Sequence, residues 1–263
     1  MQAIKTTPYH TRRFLLFTQN LRGGGAERQL VTLANRLASQ QGDDHSVHFV
    51  LQEKEGELLN ELLHDISVEQ LSANSLIRKP FALARRYDDL HPDVIVSTLD
   101  LSNLIAIVAR LVSWQRPKIV IRVANTISSQ PRSRVKKWLE WLALRLFYPL
   151  ADEIIAVSNG VATDLVDYIG IPRRRITVIY NPVVIPSLQQ KAKQAVSHPW
   201  FQPGQPPVVL GIGRLTDQKN FGRLLQAFAK VHGSQAAHLM LLGEGPLRSS
   251  LEASAKVLGI TDS

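Results

Sequence analysis

The sequence predicts an α/β protein made of two successive units, the second of them incomplete. Three observations lead there. Short β-branched apolar runs alternate with stretches of helical periodicity along most of the chain. A glycine turn that follows a strand and opens a helix occurs twice, at 20–25 and at 211–220, and a proline-rich stretch separates the two sets of elements. Apolar runs that are continuous rather than alternating indicate parallel strands covered on both faces, which makes both units Rossmann-like.

Residues 1–11 read as a loose tail. Residues 14–18 form a buried strand, and three glycines at 23–25 lead into a helix over 26–39 whose inner face carries Leu30, Leu33, Ala34 and Leu37. Strands are expected at 47–51, 66–71, 94–98, 118–123, 153–157 and 176–179. Helices are expected at 57–64, 80–87, 101–112, 133–148 and 161–169. Prolines 182, 186, 199, 203, 206 and 207 mark a connection with little periodicity. The expected division is therefore a first domain at 1–182, a connection at 183–206 and a partial second domain at 207–263. That second part supplies a strand at 208–210, the turn at 211–220, a helix over 221–228, a strand at 238–242 and a helix over 247–258. Pro246 and Gly259 sit at that last helix's start and just past its end, in the usual asymmetry of helix termini. Two strands and two helices do not close a doubly wound domain, so the second is read as ending early at Ser263.

The 263 residues contain no cysteine, which removes disulfides, zinc-thiolate sites and thiol catalysis and agrees with a cytoplasmic setting. The apolar runs are too short for a signal peptide or a membrane span. Eight histidines (10, 45, 48, 64, 91, 198, 232, 238) show no metal-ligand spacing, and no metal or other cofactor is expected. The formal charge of +9 is concentrated: residues 110–145 hold nine Lys or Arg and a single acid, Glu140. Over 133–148, Val135, Leu139, Leu142 and Leu146 form one helical stripe, and Arg134, Lys137, Trp141, Arg145 and Tyr148 another. The leucine stripe is expected inside and the cation–aromatic stripe outside, where it suits an anionic membrane surface or simply a solvated basic face. Nucleic acid is disfavoured as a partner, since it would leave both glycine turns unused.

The turn GIGRLTDQKN at 211–220 is the strongest chemical signal. Gly211 and Gly213 remove the Cβ atoms that would keep a phosphate from the backbone, and a following helix offers unpaired N–H groups and its positive end. Arg214 contributes a planar fork and Lys219 a movable point charge, a pair suited to a diphosphate. The same residues also fit a plain strand-to-helix turn with two solvated cations. The loop at 20–25 lacks the dinucleotide-binding glycine pattern, but it lies at the carboxyl end of the first strand, where open parallel sheets bind ligands.

Five short segments in order, GGAER at 24–28, AVSN at 156–159, YNPV at 180–183, GRLTDQKN at 213–220 and LGEGP at 242–246, together resemble the GT-B glycosyltransferases of family 4. The resemblance covers essentially the whole chain. It implies two Rossmann-like domains facing across a cleft, with the acceptor mainly on the first and a nucleotide-diphosphate sugar mainly on the second. It further implies transfer with retained anomeric configuration to a lipid-linked or polysaccharide acceptor. By position, Gly213, Arg214 and Lys219 would hold the donor diphosphate, and Gly24 and Gly25 would line the cleft near the sugar and acceptor. The family's usual pair of glutamates lies further along the second domain than this sequence extends, so weak activity is expected of these residues alone. Where many members place a histidine near the sugar, Asn125 stands here; it donates a hydrogen bond but does not titrate. The alternatives are a GT-B-like sugar-nucleotide epimerase, which would release free epimerised sugar, and a non-catalytic protein that binds nucleotide or membrane only.

Overall fold

A computed structural model describes residues 12–40, 45–129, 133–183 and 186–261; the tail read over 1–11 lies outside them, as do residues 184–185 of the expected connection. The chain divides into two compact units at Val183/Val184. In the first, the elements alternate as β1 (Arg13–Thr18), α1 (Gly25–Ala38), β2 (Ser46–Leu51), β3 (Ser67–Gln70), α2 (Lys79–Leu90), β4 (Val94–Thr98), α3 (Asp100–Val112), β5 (Lys118–Val123), α4 (Arg134–Phe147), β6 (Glu153–Ala156), α5 (Asn159–Asp164) and β7 (Ile176–Val178). All seven strands are parallel, in the spatial order β3-β2-β1-β4-β5-β6-β7. The order reverses between β1 and β4, so the loops leaving these two strands frame the crevice in which open α/β sheets bind ligands. Apolar strand residues are buried from both sides: Leu15 and Phe17 pack in one core cluster and Leu16 and Phe49 in the other.

Three local expectations are corrected. The helix read at 57–64 is a short 3-10 turn, Glu57–Glu61, anchored where the Leu58 amide donates to the Leu21 carbonyl at 3.1 Å. The helix read at 161–169 starts earlier, at Asn159, because Ser158 Oγ caps it by accepting from the Val161 amide at 3.2 Å. It then widens into one π turn, Leu165–Ile169, closed by Gly170 at φ 83°.

The third correction concerns α4, which packs the opposite way from its stripe pattern. Val135, Leu139 and Leu146 are 53–69% exposed, and Lys137, Trp141, Arg145 and Tyr148 of the cation–aromatic stripe bond to the protein while Arg134 stays exposed. The end of the π turn explains this. Its last carbonyls have no intrahelical donor, so Trp141 Nε1 donates to Tyr168 O (2.7 Å) and Arg145 Nη1 to Ile169 O (2.8 Å). Lys137 Nζ likewise donates to Ser128 O at 2.6 Å. Tyr148, fully buried, donates to Asp100 Oδ1 at 3.0 Å. Satisfying buried polar groups outweighs hiding three aliphatic side chains that water tolerates.

Burial pushes the phenols of Tyr87 and Tyr148 well above their ordinary value, with the charge of Asp100 adding to the effect at Tyr148. The folded chain therefore favours the neutral phenols. This contribution to stability is complete below about pH 10, the ordinary phenol value, and is lost as pH rises beyond it. Melting temperature should fall as pH rises above about 10, and Tyr87→Phe should flatten that fall; an unchanged slope contradicts the assignment.

The second unit contains α6 (Pro186–Lys191), a 3-10 turn (Pro199–Phe201), β8 (Val208–Ile212), α7 (Phe221–His232), β9 (His238–Leu242) and α8 (Arg248–Val257). β8 and β9 pair in parallel. Leu215, Phe221, Leu225, Phe228 and Leu251 make a small core, while Leu210, Ile212 and Leu242 on the strands remain exposed. The two-strand parallel sheet is thus open, unlike the seven-strand one.

Candidate functional site

In the second unit the ends of β8 and β9 carry two glycine turns laid backbone against backbone. The Gly213 amide donates to Leu242 O (3.0 Å), the Leu215 amide to Glu244 O (2.9 Å) and the Leu247 amide to Leu215 O (3.1 Å). A Cβ on Gly243 would lie 1.9 Å from Gly213 O, and one on Gly245 would lie 2.4 Å from Leu215 O. Both positions are glycine because backbone occupies the space a side chain needs. Lys219 lays its stem along Gly213, where an added Cβ would meet Lys219 Cε at 3.0 Å. The Lys219 side chain is held against the turn that Arg214 leaves, and both cationic residues are exposed. α7 does not follow the glycine turn directly. A 3-10 turn, Asp217–Lys219, and Asn220 in the left-handed region at φ 51° intervene, and Asn220 makes no side-chain cap. Arg248 pairs with Glu244 (2.6 Å) and Glu252 (3.0 Å), so one cation is shared between two exposed acids beside the second turn. The Glu244 hydrogen bond, more than its charge, raises the Arg248 guanidinium above its ordinary value.

In the first unit, Gly24 is the N-cap of α1 and Gly25 its first residue, preceded by Gly23 at φ 107°. No side chain caps this helix, and the Glu27 carboxylate folds back to where a Gly24 Cβ would be, 2.1 Å from Oε2. On the opposite side of the switch point Leu99, leading into α3, has φ 77°, a conformation that costs a branched side chain about 1–3 kcal/mol and that clusters at ligand sites.

The residue that ties this edge together is Arg122, on β5. Its Nη1 donates to Thr98 Oγ1 (3.0 Å) and its Nη2 to Asn181 Oδ1 (2.7 Å). Burial lowers its guanidinium from the ordinary value, and the nearby charge of Glu27 works in the opposite direction. Beneath it, buried Asn103 donates to the Arg122 carbonyl at 3.2 Å and accepts from Ser97 Oγ at 2.7 Å. A cation thus stands at the carboxyl edge of the sheet with neutral hydrogen-bond partners from β4 and from the segment after β7. Sequence reasoning passed over Arg122 as one charge in a basic run; only the strand order brings positions 98, 122 and 181 together. Asn125 lies on the same edge, exposed in the bend after β5. Among the described residues no His, Asp or Glu cluster could hold a metal ion.

Residues 23–185, more than half of the chain, match Glycosyltransferase Family 4. The chain belongs to that family. A relative, N-acetylgalactosamine-N,N'-diacetylbacillosaminyl-diphospho-undecaprenol 4-alpha-N-acetylgalactosaminyltransferase of Campylobacter jejuni, is 28% identical over 261 residues, covering 94% of this chain and 67% of the relative. Among solved structures, Anabaena HepE in complex with UDP and glucose aligns with a TM-score of 0.69 at 18% identity, over 95% of this chain and 67% of that one. The UDP-GlcNAc 2-epimerase of Neisseria meningitidis aligns with a TM-score of 0.57 at 17% identity, over 94% and 69%. These likenesses establish the GT-B fold. The Family 4 match favours sugar transfer over the epimerase alternative. The chain spans about two thirds of the length of the relatives it matches.

Proposed function

We propose that this chain is the acceptor-side domain and part of the donor domain of a retaining glycosyltransferase. It would move a sugar from a nucleotide-diphosphate sugar to a lipid-linked or polysaccharide acceptor. The observation that carries this reading is the interlocked pair of glycine turns in a Family 4 chain, with Lys219 laid along Gly213 and Arg214 beside it. In this reading Arg214 and Lys219 hold the donor diphosphate, while Gly213, whose amide donates to Leu242 O, makes room for the Lys219 stem. As the glycosidic bond breaks, negative charge grows on the departing nucleoside diphosphate, and fixed cations stabilise it without reorganising. Gly24 and Gly25 leave α1 amides open to the sugar and acceptor, and Asn125 offers a hydrogen bond there without taking part in proton transfer. Relatives support the choice of substrates by their names: one transfers N-acetylgalactosamine to a diphospho-undecaprenol-linked glycan, and another serves amylovoran biosynthesis. Calorimetric titration with UDP tests the reading: saturable binding is expected, and absence of heat at millimolar UDP refutes it.

The exposed face of α4 supports a place on the cytoplasmic face of an anionic membrane. Val135, Leu139 and Leu146 form its apolar stripe, with Arg134 and Lys136 exposed beside them. Among the described residues no helix is long and apolar enough to cross a membrane. Leu139→Asp should weaken co-sedimentation with phosphatidylglycerol vesicles about tenfold, the loss of one buried leucine contact of roughly 1.5 kcal/mol. Equal sedimentation of the variant and the parent would remove the membrane from the account.

A further inference from the structure

We infer that a shallow groove between α4 and the π turn is a secondary binding site for a glycan, taking the sugars of the acceptor that lie away from the reacting end. This rests on the glycosyl-transfer reading and adds to it a second contact region with its own chemistry. Two depressions meet at Tyr168. One is floored by Trp138 and Trp141, three residues apart on α4, with the Tyr168 ring beside them. The other is lined by Thr126, Ser128, Gly160, Thr163, Asp164 and Asp167.

Two of the three rings, Trp141 and Tyr168, are placed in advance of any ligand, while Trp138 stands exposed beside them. Trp141 Nε1 is bonded to Tyr168 O, and Lys137, bonded to Ser128 O, stands 5.7 Å from the Tyr168 ring centroid. Asp164 Oδ2 accepts from the Ile127 and Ser128 amides at 2.6 and 3.3 Å, so it holds the loop. Asp167 and Thr163, both exposed, are left to face a ligand. A pyranose offers an apolar C–H face and a rim of hydroxyl donors. Preformed aromatic rings match the first, while a carboxylate beside a threonine hydroxyl matches the second, with little ordering cost. Asp164 and Asp167 disfavour a phosphate or an acyl chain at their end of the groove, and Arg134 and Lys137 line the other end. The groove also begins at Thr126, next to Asn125 on the proposed acceptor edge, and ends at α4.

The test uses trisaccharides of α- and β-linked hexoses and N-acetylhexosamines, with tryptophan fluorescence and saturation-transfer NMR on the whole chain. Binding is expected for at least one trisaccharide, weakened at least tenfold by Trp138→Ala and about fivefold by Asp167→Asn. UDP titration of the same samples is expected to be unchanged in both variants, and hydrogen-exchange protection of β1, β4 and β5 equal to the parent's reports an intact first unit. Three results would overturn the proposal: no trisaccharide binding while UDP binds, trisaccharide binding indifferent to both substitutions, or a Trp138 response to vesicles alone. Failure of UDP to bind while a trisaccharide does would instead count against the donor site and leave the groove standing.

Discussion

Gly243→Ala should unfold the turn region of the second unit and abolish nucleotide binding. The new methyl would sit 1.9 Å from the Gly213 carbonyl oxygen, and a backbone atom held by the Gly213–Leu242 and Leu215–Glu244 hydrogen bonds cannot step aside without breaking them. Overpacking of this kind costs about 1–3 kcal/mol and occasionally more. The second unit, with its small core and open two-strand sheet, has little stability to lose. Amide hydrogen exchange is the direct measure: protection of β8 and β9 should collapse while β1, β4 and β5 keep theirs. Gly222→Ala supplies the control, since nothing lies within 4 Å of its added methyl. Within α7 that change should be neutral or stabilising by up to about 1 kcal/mol. If both alanines behave alike, the two turns are not interlocked as described.

The second large effect is at Arg214. Replacing it with alanine should weaken UDP binding by about 1.5–3 kcal/mol, roughly ten- to 150-fold, the range for a hydrogen bond to a charged group. Lys219→Ala should cost less than Arg214→Ala, because a single ammonium lacks the two-pronged geometry of a guanidinium. If both cations grip one diphosphate, the double variant should depart from the sum of the single losses by more than about 0.5 kcal/mol. Strict additivity would place the two cations on different ligand groups. Since both side chains are exposed, affinity should also fall with added salt.

Much of the fold was legible because the physics that sets it is local. Continuous β-branched runs between helical stretches specify parallel strands, and β4, β5 and β9 fall on the residues their patterns mark. The glycine turn at Gly213 was legible for the same reason. Gly211 proves instead to pair with Leu241 inside β8, where a Cβ would meet the Leu241 and Phe221 side chains rather than a phosphate. The reason for Gly243 was not legible. Its glycine answers to the Gly213 carbonyl, a contact set only when β8 and β9 pair. α4 shows the limit of periodicity. Two stripes of comparable amphipathic quality compete there, and the unpaired carbonyls of Tyr168 and Ile169, more than twenty residues away, decide between them. Arg122 was illegible in the same sense: its neighbours Thr98 and Asn181 are 24 and 59 residues distant in the chain.

The central claim is that the paired glycine turns of the second unit, with Arg214 and Lys219, form the seat of a nucleoside diphosphate. It is tested most directly by following backbone amide resonances during a UDP titration. The account predicts saturable shifts concentrated at residues 211–220 and 243–247, lost in Arg214→Ala. Shifts that avoid both turns, or that persist unaltered in the variant, would contradict it.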